Sequence, residues 1–560
     1  MTRALLFFAL CGLVACAPSE PAHAPPPVAP PEPSRIVEPP PNPIPPLPEP
    51  RRIAVRLVWD ERGIHLRVAA SGPAADLGQW KMPEDTMSEV AVEDGIGVAK
   101  PFVRENGVIE VSAPRPQVTV VYDVTPAASD DDVKKTIVEP ARLRALGEKI
   151  LALPIAFDNE RVEATIVIDA HAIDPPMTAS TFGVGPARIR HVIRTTGAEL
   201  RRIAFIGGGG GHAVFDTPEG HDEAAWLGYT AFDPRTVAAE VAAFRTFLHD
   251  VLRGLGQDSH TILFVADDRP RGRFRVTRRA GGMLVNVGGK DPYDAWLRLA
   301  VGHELAHVWI GDRIWVGGDD AYWFQEGFAR WTSREELARG GLLSPDDLAA
   351  EIDRLLSIVT TTPKDKPTFA LAVARGALFA TILDGRIREK SHGDKALEDL
   401  LRALLQSNES MNVKLTEAAF LDEAAKWGGD VVKTDFDDVV RTGKRITLPA
   451  DAIGGCFETR DVAYETIDPG FDVAASRTSA RITNLDPKGP AARAGLVDQE
   501  TLVRSDDPVD PKEKMNVVVT RGGQDVTVAF EPKGPAKKGQ AFRRRPHLSD
   551  EACKKLALRK

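Results

Sequence analysis

Two histidines four residues apart, with a glutamate beside the first, constrain this chain more than any other feature: His303-Glu304-Leu305-Ala306-His307. On a helix, residues four apart lie on one face, so both imidazoles can reach a common point. A carboxylate next to the first ring stays close to whatever sits between them. That is the donor arrangement of a catalytic zinc, with three protein ligands and one position left for water. Glu326 is the third ligand that spacing suggests, with 18 residues separating it from His307. Glu304 then stands where a general base would take the water's proton. The surrounding run, Trp323-Phe324-Gln325-Glu326-Gly327-Phe328-Ala329-Arg330-Trp331, predicts an aromatic wall that keeps bulk water from the ion.

HELAH followed by WFQEGFA resembles the gluzincin metallopeptidases, the group that includes aminopeptidase N and the PDZ-bearing glycyl aminopeptidases. The similarity spans roughly residues 280 to 400. It implies one zinc per chain on His303, His307 and Glu326, with Glu304 as base. It also implies a thermolysin-like domain and peptide or protein substrates.

Placement is read from the other end. Arg3 precedes an apolar run from Ala4 to Ala15, too short to span a bilayer and suited to a signal peptide. The run closes on Leu13-Val14-Ala15-Cys16, which is similar to a bacterial lipobox and implies lipidation at Cys16. Ala17 after the cysteine implies outer-membrane rather than inner-membrane placement, periplasmic or surface-facing. Cys456 and Cys553 remain as an even pair suited to a disulfide in an oxidising compartment. The net charge of −9 argues against nucleic acid as a partner.

With 560 residues and 43% hydrophobic content the chain can bury several cores, so an α+β multidomain fold is expected. Residues 1–16 read as signal and lipobox, and 17–50 as a stiff Pro-rich tether. Residues 51–215 alternate with period two in IAVRLVWD, IHLRVAA, GVIEVSA, QVTVVYDV and ATIVIDA, predicting a β-rich N-terminal domain. RRIAFIGGGGGHAVF reads as one more hairpin, its glycines a flexible turn. Residues 216–445 form the catalytic region. Asp233-Pro234 and Ser344-Pro345 open helices, TILFVAD and GGMLVNV are strands, and the metal helix starts near Tyr293. Residues 460–535, with ARITNLDPKGPAARAGLVDQETLV, resemble a PDZ domain; this implies a C-terminal peptide ligand whose carboxylate is held at Gly470 and Phe471. Residues 536–560 read as a solvated basic tail.

Two departures from the family are visible. Leu284, in the strand taken as the edge strand, stands where an amine-binding glutamate is expected. The run downstream of Glu326 that carries an oxyanion-stabilising tyrosine in relatives reads ALAVARGALF, which leaves Arg375 as a candidate oxyanion donor. The reading is thus a zinc metallopeptidase of the bacterial envelope, exo- or endo-acting, with a catalytically weak zinc scaffold that binds partner C-termini as the alternative.

Overall fold

A computed structural model describes residues 50–553, apart from 129–133, 172–176, 219, 254–258, 270, 319–320, 364–367, 408–411, 445, 507–510 and 550. The apolar leader, Cys16, the Pro-rich tether and Lys554-Lys555 lie outside the described residues.

Period-two alternation becomes strand structure as expected. Arg52–Asp60, Gly63–Ser71, Gln117–Thr125 and Val162–Ala170 belong to a six-stranded sheet with one parallel pair, Arg52–Asp60 against Val162–Ala170. Every second residue of Arg52–Asp60 points inward, so Ile53, Val55, Leu57 and Trp59 are buried. A four-stranded sheet carrying Trp80 and Ile109 closes over the same core. The apolar face of each sheet is hidden by the other, which is what an alternating strand requires.

The glycine run does not make a hairpin. Ala204–Gly208 pairs with Met177–Ser180 and Arg142–Leu146 in a sheet of the N-terminal region, whereas Gly210–Thr217 begins the next sheet. The chain changes sheets at Gly208, whose φ of +138° only glycine adopts without strain.

That next sheet holds β1 (Gly210–Thr217), β2 (Gly220–Leu227), β3 (Ser259–Asp267), β4 (Arg275–Arg279) and β5 (Gly282–Gly288), in the spatial order β1-β2-β3-β5-β4. Strands β2, β3 and β5 run parallel, and β4 returns antiparallel along β5 as an outer strand. Buried polar bonds lock this sheet to the N-terminal region. Arg142 donates to the Ala266 carbonyl at 2.9 Å, Arg144 to Asn286 at 3.2 Å and Arg279 to Glu148 at 2.7 Å.

Helices supply the rest of the catalytic region: α1 (Pro234–Leu252), α2 (Ala295–Ala306), α3 (Tyr322–Arg339), α4 (Pro345–Thr361), α5 (Phe369–Lys390), α6 (Leu397–Gln406) and α7 (Glu417–Gly428). Caps start them where expected. Asp233 accepts from the Arg235 N–H, and Ser344 and Asp347 exchange backbone bonds in a capping box at 3.1 and 3.0 Å. The four aromatic residues around Glu326 face this core rather than the histidines. Trp323, Phe324 and Phe328 stack on one another and on Phe379, Phe420 and Phe436, and Trp331 is 1% exposed in the same cluster. The expected wall is therefore a packing cluster; a helix has one broad apolar side, and here it serves α5 and α7.

The basic tail is also structured. Lys533–Arg544 pairs antiparallel with Phe457–Ile467, and the Phe542 N–H donates to Asp353 of α4 at 2.7 Å. Cys456 and Cys553, both buried, form a disulfide with Cα atoms 5.0 Å apart. Lysines and arginines on the outer face hide this strand's alternation in sequence. Between these segments, Thr501–Ser505, Met515–Arg521 and Gln524–Phe530 form a three-stranded sheet over a small core of their own that includes Ile482 and Val519.

Two outcomes follow for stability. The disulfide closes a span of 97 residues, so Cys456→Ser should lower the unfolding free energy by about 2–5 kcal/mol. Coincident denaturant melts of oxidised and reduced protein would count against that role. Glu336 is fully buried beside Arg339, and burial pushes its carboxyl up to about 8. Folding therefore favours the neutral acid; this contribution is complete at acid pH, below the carboxyl's ordinary value, and is lost as pH rises through about 8. Glu336→Gln should leave stability at pH 5 nearly unchanged and raise it by about 1 kcal/mol or more at pH 9.

Candidate metal centre

The centre is built where α2 crosses α3. Asp294 caps α2 by accepting from the Trp296 and Leu297 N–H groups at 3.0 and 3.1 Å, which sets the register that puts His303 in the last turn and His307 at the C-cap. At the crossing, a side chain on Gly302 would begin 2.6 Å from the Ser333 hydroxyl of α3, so glycine permits the close approach. Ser333 in turn donates to the Leu299 carbonyl at 3.1 Å. The first turns of α3 then carry Glu326 up to both rings.

Three donor atoms converge. His303 Nε2 stands 3.0 Å from Glu326 Oε2 and 3.1 Å from His307 Nε2, and His307 Nε2 stands 3.4 Å from the same Oε2. Donors at about 2.0–2.1 Å from one tetrahedral zinc are separated by about 3.3 Å, so the triangle fits such an ion. The tautomer of His307 fits as well. Its Nδ1 lies 3.0 Å from the Ile310 carbonyl, which can only accept, so the proton sits on Nδ1 and the Nε2 lone pair faces the centre. Among the described residues this is the one cluster of three or more histidine, cysteine or acidic side chains with such spacing.

Charge completes the fit. Burial holds the His303 imidazole below its ordinary pKa, and the neighbouring His307 adds to this, so the ring is neutral. Burial works to raise the Glu326 carboxyl, but the adjacent His303 and His307 imidazoles outweigh it and keep the group well below the usual carboxylate range. Two imidazoles and one carboxylate suit a divalent cation.

Glu304 is half-buried beside this triangle. One of its oxygens accepts from the Arg278 N–H of β4 at 3.0 Å; among the described residues the other has no hydrogen-bond partner. Arg278 also donates from its guanidinium to the His307 carbonyl at 3.2 Å and pairs with Asp312. Sequence reasoning missed this residue because β4, read as Arg-Val-Thr-Arg-Arg, does not look like a strand.

The position of β4 corrects the expected edge. Leu284 lies on β5, between β3 and β4, fully buried with Leu263 and Val265. The outer strand is β4, which carries three arginines and no carboxylate. The Arg375 guanidinium donates to the Val440 carbonyl at 3.3 Å and lies against Gly443. The helical turn at 437–441 follows α7 in the chain, and its carbonyl claims the arginine. At the far end, the Gly470 N–H is donated to Asp468 at 2.9 Å, and Phe471 is buried in the small C-terminal core. The Gly470 amide of the expected carboxylate loop is thus engaged by Asp468.

No sequence-family profile matches the chain, and no curated protein matches it. Solved structures do. An aminopeptidase N family protein from Idiomarina loihiensis superposes with a TM-score of 0.66 at 13% identity, covering 90% of this chain and 99% of its own. An M1 zinc metallopeptidase from Deinococcus radiodurans gives a TM-score of 0.49 at 16% identity, over 72% of this chain and 95% of its own. The chain therefore shares the fold of the Idiomarina protein across nearly the whole length of both.

Proposed function

We propose that this protein is a zinc metallopeptidase that hydrolyses peptide bonds in the bacterial cell envelope. The observation that carries the reading is the triangle of His303, His307 and Glu326, with Glu304 poised beside it. A zinc ion held there supplies Lewis acidity, polarising a peptide carbonyl and making water acidic enough to attack at neutral pH. Glu304 takes the proton of the attacking water and delivers it to the leaving amine. The Arg278 N–H steadies one Glu304 oxygen, which aims the other at the water. The outer strand β4 offers its free side to an extended peptide backbone.

Envelope placement is supported by the apolar leader ending in Cys16 and by a buried disulfide, which persists in oxidising compartments. Among the described residues no helix is long and apolar enough to cross a membrane; attachment is read as a lipid at Cys16, from the sequence that precedes it. The C-terminal unit is read as PDZ-like. The scaffold alternative is weaker for want of a free amide at Gly470.

Glu304→Gln is expected to retain zinc and lose about 10²–10⁴-fold in peptide hydrolysis, measured by a peptide-library digest beside metal analysis. Wild type that binds zinc and is as inert as the variant would remove the enzyme reading. His303→Ala and Glu326→Ala should each lose metal as well as activity, since each removes one of three ligands. Full metal retention in either variant would place the ion elsewhere.

A further inference from the structure

Beside the metal centre lies a cavity of about 770 Å³, within the roughly 300–1,000 Å³ of ligand pockets. Its wall joins distant parts of the chain. Arg161, Arg194 and Arg202 come from the N-terminal region, Arg278 and Arg279 from β4, and Arg313 from the segment after α2. The acidic residues lining it are Glu199 and Asp312. Both are engaged: Glu199 closes a capping box with Thr196, and Asp312 pairs with Arg278. Arg279 is matched by Glu148. The side chains of Arg161, Arg194, Arg202 and Arg313 have no hydrogen bond or ion pair among the described residues. His260, the remaining ionisable lining group, is fully enclosed, and burial holds it at about 3, so it stays neutral.

Four guanidinium groups with no hydrogen-bonded partner among the described residues give this hollow a positive potential, in a chain whose net charge is −9. Burial lowers the Arg202 pKa, and repulsion from Arg278 adds to the effect against the pull of Asp312. The hollow meets the metal centre through Arg278, whose N–H holds Glu304 and whose guanidinium holds the His307 carbonyl. One wall is the outer strand β4, which pairs with an extended peptide rather than with stacked bases.

We infer that the arginine-lined cavity binds carboxylate side chains of the substrate, so that the protein selects peptides rich in aspartate and glutamate next to the bond it cuts. This rests on the peptidase reading above. The same potential repels a free α-ammonium, and β4 carries no carboxylate to hold one. Recognition is therefore through acidic side chains and not through the amino terminus. Arginine suits the task because its planar fork grips a carboxylate with two hydrogen bonds.

The test uses full-length, zinc-loaded Glu304→Gln, with fluorescent peptides blocked at both ends. A glutamate-rich peptide should bind at least tenfold more tightly than its glutamine counterpart, and a lysine-rich one should not bind. Arg202→Gln and Arg313→Gln, made separately so that a folding defect in one does not decide the outcome, should each weaken the glutamate peptide about tenfold and leave the glutamine peptide unchanged. Equal affinity for glutamate and glutamine peptides would overturn the inference. So would displacement by inorganic phosphate beyond that caused by chloride at matched ionic strength, which would make the cavity a phosphate site. The two readings separate in the wild type. Selective binding without hydrolysis leaves the cavity assignment intact and removes the peptidase; hydrolysis of neutral and acidic peptides at equal rates does the reverse.

Discussion

The close crossing of α2 and α3 underlies everything chemical in this molecule. Neither helix alone holds more than part of the donor set, and the triangle forms only because Gly302 and Ser333 let the two backbones approach. The buried core behind α3, centred on Trp323, Phe324 and Phe328, presses that helix into place. Precision at the centre therefore comes from packing on the opposite side of the helix. Three donor atoms within hydrogen-bond distance of one another, two of them imidazole nitrogens, are poorly satisfied by protein alone. A shared cation resolves that conflict, and the second ring nitrogen of His307 is already tied down to serve it.

Strand β4 joins this centre to its surroundings. Its backbone orients Glu304, one of its side chains braces the C-terminal end of α2, and its outer position leaves a free edge. The same strand brings arginine side chains to the cavity beside the centre. The placement of Glu304 thus depends on one five-residue element, whereas the cavity's charge comes mainly from arginines outside it.

Further along the chain, the disulfide and the strand Lys533–Arg544 bind the end of the chain back onto α4. These contacts share a buried cluster with Leu348, Ile352 and Leu356 of α4. They add stability by tying segments far apart in the chain to one another.

Local rules carried much of this structure. Four-residue spacing placed His303 and His307 on one helix, alternation located the long strands of the N-terminal region, and Asp233 and Ser344 marked helix starts that the structure reproduces. These signals are legible because each depends on residues a few positions apart. Long-range pairing was not legible. Strand β5 looked like an edge because its sequence is a strand's, yet β4, disguised by charge, took the outer place and buried Leu284. The glycine run resembled a turn, although its two flanks belong to different sheets. The arginines at 161, 194, 202 and 313 share no local pattern, and only tertiary structure gathers them around one hollow. Sequence determines which side chains a helix or strand can present; only the closing of sheet and helix layers over one another decides which of them meet, because that choice is made by buried area summed over the whole chain.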